Sequence, residues 1–102
     1  MSHGETIAVE RVQTGVRLEK RLLKVLKALA EYHDLTLGDL LEGIVLHAFE
    51  GKSPFGPQSQ ARIGELKGIY GLDLDASDSH RLVERPAATS AGPSRRGKPR
   101  RP

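Results

Sequence analysis

The chain has 102 residues, a formal charge of +3 and no cysteine, so it holds one small domain without disulfides, thiolate nucleophiles or Cys-type zinc sites. Four aromatics and a 37% hydrophobic fraction make a lean core, one that a second subunit would help to complete. No apolar run approaches the ~20 residues of a membrane span, and Met1–Glu5 lacks a basic stretch leading into an apolar one, so a cytoplasmic bacterial protein is expected.

Charge is unevenly placed along the chain. Residues 11–27 carry six basic side chains against Glu19 alone, whereas residues 28–51 carry five acidic ones and no Lys or Arg. Residues 52–85 balance, and the last seventeen hold Arg95, Arg96, Lys98, Arg100 and Arg101. A basic edge beside an acidic body fits a surface that meets an anion on one side.

Residues 1–10 read as a flexible arm. From Arg11 to Leu18, Val12, Thr14, Val16 and Leu18 alternate with Arg11, Gln13, Gly15 and Arg17, the period-two pattern of a short strand with one apolar face. Lys20–Tyr32 changes to helical spacing, with Leu22, Leu26 and Leu29 on one stripe and Lys20, Lys24, Lys27 and Glu31 opposite. His33-Asp34-Leu35 makes a turn. Thr36 followed by Asp39 predicts a capped second helix from Leu37 that stops near Gly51. Gly43, among its apolar residues, predicts close approach of another helix. Beyond the Ser53–Pro57 breaker, Ile63, Leu66, Ile69 and Tyr70 mark a third helical stretch over 60–70, and Ser77 is positioned to cap a short last helix running toward Glu84. Residues 86–102, rich in Pro, Gly, Ser and Arg, are expected to be disordered and to add salt-dependent, sequence-independent affinity for phosphates.

One credible strand cannot satisfy its own backbone groups. Pairing with the same strand of a second copy across a two-fold axis solves this. The resulting expectation is a mostly α fold with one short β-strand, giving in the dimer an intermolecular two-stranded antiparallel ribbon over four helices. Truncation before Leu18 is then expected to unfold the domain.

Gly15–Ala30 and Tyr32–Leu41 resemble the ribbon-helix-helix family of DNA-binding proteins, which includes the Arc and MetJ repressors and plasmid copy-number regulators. The resemblance covers residues 11–51 without a gap. It implies sequence-specific binding of double-stranded DNA by a homodimer, as a transcriptional regulator or repressor without cofactor or enzymatic activity. It further implies base contacts from Arg11, Gln13, Gly15 and Arg17, and phosphate contacts from Thr36, Leu37 and Gly38; Lys20, Lys24 and Lys27 read as a solvated helix face, of whose cations Lys20 and the neighbouring Arg21 are placed to graze a phosphate. The chemistry suits this: Arg pairs with guanine O6 and N7, Gln with adenine N6 and N7, and a helix N-terminus offers N–H groups to an anion. Gly15 departs from the pattern, since it has no side chain to read a base; it marks close approach or a bulge.

A helix-turn-helix reading puts Leu37–Glu50 in the groove, where Asp39, Glu42 and Glu50 meet phosphate repulsion. A protein-interaction module is the better alternative, with residues 53–84 gripping a partner as antitoxins grip toxins. An enzyme is the weakest class, because His3, His33, His47 and His80 share no metal-ligand spacing. Asp73–Glu84 mimics a calcium loop but has Asp78 where glycine is required.

Overall fold

A computed structural model describes residues 6–85 of the chain. It divides into two units, residues 1–72 and 73–102. The first unit contains three helices: α1 (Lys20–Tyr32), α2 (Leu37–Phe49) and α3 (Pro57–Tyr70).

Each helix begins and ends for local reasons. Glu19 caps α1 by accepting from the Leu22 N–H at 2.8 Å. Burial pushes the Glu19 carboxyl upward, but the Leu22 N–H and the Arg21 guanidinium outweigh it and hold the group below its ordinary range. Thr36 caps α2, its Oγ1 accepting from the Asp39 N–H at 3.1 Å, as its sequence predicts. Pro57 opens α3, where a missing N–H costs nothing. At the far ends, Asp34, Gly51 and Gly71 take left-handed backbone. There the following N–H groups reach back, Leu35 to Ala30, Lys52 to His47 and Leu72 to Lys67, each at 2.9 Å.

α1 packs against both α2 and α3. The Arg21 guanidinium, at the start of α1, donates to the Gly71 carbonyl at the end of α3 (2.9 Å). His33, capping the other end of α1, meets Ser59 in the first turn of α3 (3.2 Å), so these two helices run antiparallel. The core consists of Val25, Leu29, Ala30, Leu40, Leu66 and Leu72, with Leu29 the most completely enclosed. Leu22 and Leu26, predicted on the central stripe, are only half-buried. A helix covered from two sides needs a broader apolar arc, and its middle falls on Val25 and Leu29.

The expected ribbon-helix-helix fold is not what the chain forms: the described residues contain helices and no strand or sheet. Residues 6–18 are exposed and carry no regular secondary structure, and no described residue supplies a ladder of backbone hydrogen bonds beside them. Period two alone does not make a strand; a strand also needs a partner. Every buried residue of the core lies at or beyond Val25, so residues 6–18 add no buried side chain to the helical packing. Gly15 marks no bulge, because there is no ladder to interrupt, and a Cβ placed on it meets nothing within 4 Å. The same holds at Gly43, so no helix of the chain closes on that position.

The second unit contains a single 3-10 turn, α4 (Ala76–Asp78), among its described residues. Its cap is Asp75 rather than Ser77. Asp75 accepts from the Ser77 N–H (3.0 Å) and hydroxyl (2.6 Å), and the Asp75 N–H donates to Asp78 (2.9 Å). Of the residues that mimic a calcium loop, Asp75 and Ser77 are thus engaged in capping this turn together with Asp78, and the helix does not continue to Glu84. The basic tail and His3 lie outside the described residues.

Glu19→Ala should lower stability by about 1 kcal/mol through loss of the cap. Because the folded-state carboxyl titrates low, the cap's contribution is complete above the ordinary Glu value of about 4.3 and fades as pH falls through the lowered one. Acid melting of the two forms should therefore converge, and a pH-independent gap between them would contradict the cap.

Candidate nucleic-acid interface

The expected base-reading positions share the segment before α1 but not one environment. Gln13, Gly15 and Arg17 are exposed, and Arg17 is not without a partner. Arg11 is drawn onto α2. Its Nε and Nη2 donate to the two carboxylate oxygens of Glu42, both at 2.8 Å, and Nη2 also reaches Asp39 Oδ1 at 3.0 Å. The hydrogen-bonded Glu42 carboxylate, then its charge and that of Asp39, hold Arg11 even more firmly protonated than usual. In return Arg11 holds the Glu42 carboxyl below its ordinary range. Asp39 and Glu42 lie three residues apart on one helical face, which is why a single guanidinium can serve both.

Among the expected phosphate contacts, Lys20 is exposed and begins a stripe continued by Lys24 and Lys27, both exposed. These positions recur at four and three residues, so the ammonium groups line one face of α1 until Glu31 ends it. The Lys24 ammonium lies 6.0 Å from the centre of the Tyr70 ring. Arg21 has a different role. It bonds Glu19 at 3.0 Å and the Gly71 carbonyl, clamping the start of α1 to the end of α3. Thr36, Leu37 and Gly38 sit at the N-terminus of α2 as expected, with Gly38 exposed and Leu37 half-buried. The first-turn Asp39 already places negative charge there.

An open groove of about 320 Å³ runs between α2 and the loop leading to α3. Its polar lining is engaged within the chain: His33 with Ser59, His47 with the Gly43 carbonyl at 2.7 Å, and Asp39 with Arg11. No group of three metal-ligating side chains occurs among the described residues. None of the helices there is long and apolar enough to cross a membrane.

No protein-family model, curated protein or solved structure matches the chain. The functional reading therefore rests on the residues themselves. Three that matter to it carry no sequence signal of the usual kind. Glu19 is an uncommon cap residue, Arg21 looks like one more surface cation, and the Arg11 contacts span 28 and 31 residues.

Outside the charged stripe, a second surface is conspicuous. Leu46 and Phe49 of α2 are 63% and 80% exposed, with Val45 beside them. Val12 and Val16 of the segment before α1 are 79% and 71% exposed.

Proposed function

We propose that the chain binds double-stranded DNA as a homodimer and regulates transcription in the cytoplasm. The cationic stripe of Lys20, Lys24 and Lys27 meets phosphates, and the exposed segment carrying Gln13 and Arg17 reaches base edges. The observation that carries this reading is the stripe itself, exposed along α1, while Arg11 offsets one of the two negative charges of the acidic pair on α2. Phosphate contacts of this kind give affinity without sequence information; base contacts add the choice of site. Homodimerisation follows from the apolar surface. A face formed by Val45, Leu46 and Phe49 is costly to leave in water and is the kind of patch that marks an interface.

Selection of bound sequences from random duplexes tests both parts, because a two-fold dimer selects two half-sites. Within a selected site, Arg17→Ala should cost roughly 1–3 kcal/mol per half-site and blur one base position, whereas Lys24→Ala should weaken all sequences slightly and equally. Equal losses from the two substitutions on specific and random duplex would reduce the reading to electrostatic adhesion.

A partner protein on residues 53–84 is the second reading, favoured by Ile69 on α3 and by Leu82 and Val83 in the second unit, all exposed. Arg17→Ala separates the two, since it removes DNA binding and spares such a partner.

A further inference from the structure

We propose that the Arg11 clasp is a latch: Asp39 and Glu42 withhold this arginine in the free protein, and duplex phosphate takes it from them. The proposal rests on the DNA-binding reading above. Its geometric basis is that Arg11 bonds both oxygens of Glu42 and one of Asp39, filling its guanidinium edge with carboxylates. A guanidinium engages carboxylate and phosphate with the same bidentate geometry, so one can replace the other without a new side-chain shape.

Exchange is also accessible. The three side chains are 61%, 45% and 47% exposed, so phosphate reaches the clasp from solvent without unfolding a helix. Ion pairs at such exposure are weak, and a polyanion that concentrates charge competes with them effectively. α2 carries no Lys or Arg, so transfer of Arg11 to DNA uncovers two carboxylates. Their repulsion of the duplex opposes binding, and this makes the clasp inhibitory rather than neutral.

The test uses the full chain in a double-mutant cycle. Asp39→Asn with Glu42→Gln is compared with wild type, each in Arg11 and Arg11→Ala backgrounds, and Glu42→Gln alone serves as the milder variant. Glu31→Gln with Glu50→Gln removes the same charge elsewhere. Affinity for a random duplex at low salt should rise roughly three- to fivefold more in the clasp variant than in the charge control, the scale of one or two surface ion pairs. The excess should vanish in the Arg11→Ala background. Equal tightening in both backgrounds would mean simple charge removal and would overturn the latch. Weaker binding, lost only when Arg11 is present, would mean that the carboxylates present the arginine to DNA, and would overturn it too.

A DNA-free measurement separates this from the functional reading. The Arg11 Nε–H proton should exchange slowly with water in wild type and rapidly in Glu42→Gln; identical exchange in both would overturn the clasp whatever DNA does. Failure of every form to bind duplex would overturn the DNA reading, and the latch's competitor with it.

Discussion

Phe49→Asp should turn a dimer into a folded monomer. Phe49 is 80% exposed on α2, beside Leu46 and Val45, and its neighbours on α1 and α3 do not cover it. Burying a Phe side chain is worth about 1.5–3 kcal/mol, and a two-fold interface counts each residue twice. Dimerisation should therefore weaken by roughly two to four orders of magnitude, more where the new carboxylate must be buried. Sedimentation over a range of concentrations measures this directly, and circular dichroism should show the helices retained. The melting temperature of wild type should rise with concentration while that of the variant should not. An unchanged dimer would move the interface off α2.

The second large effect lies in the core. Leu29→Ala removes the most enclosed side chain of the molecule, and such truncations cost about 2–5 kcal/mol depending on how far the site collapses. Small domains have only about 5–15 kcal/mol to lose, with lean ones at the low end. The variant should therefore lose a large share of its stability and melt at a clearly lower temperature than wild type. Ile69→Ala, on the exposed side of α3, should change denaturant midpoints very little. Similar losses at both positions would mean that Ile69 is buried in the assembled protein, which would place α3 in the dimer interface.

Helical elements were readable from the residues because their signals are local. The period of the leucines marks Lys20–Tyr32, Thr36 with Asp39 marks the start of α2, and Gly51 marks its end; all three stand in the structure. The segment before α1 shows where local signals stop. Alternation over Arg11–Leu18 predicts a strand, but the partner that makes a strand is not encoded in the segment, and no described residue provides one. Ser77 lies inside the turn that Asp75 caps, and its hydroxyl donates to the Asp75 carboxylate instead of capping a helix of its own.

The candidate interface divides along the same line. Lys20, Lys24 and Lys27 are legible as a stripe because helical geometry alone places them on one face. Arg11 and Arg21 are not, because their partners come from distant sequence: Glu42 and Asp39 in one case, the Gly71 carbonyl in the other. A cation in a sequence is a charge; whether it is offered to a ligand or consumed in the fold depends on tertiary contacts.

The most direct test of duplex binding by a homodimer is titration of the full chain against a labelled duplex at several salt concentrations. Affinity should fall linearly on a log–log plot with salt, with a slope near 0.9 per phosphate contacted. The complex should contain two chains, and Lys20, Lys24 and Lys27 changed together to Ala should flatten the slope. No binding at about 50 mM salt, where non-specific contacts are strong, or binding indifferent to salt, would contradict it.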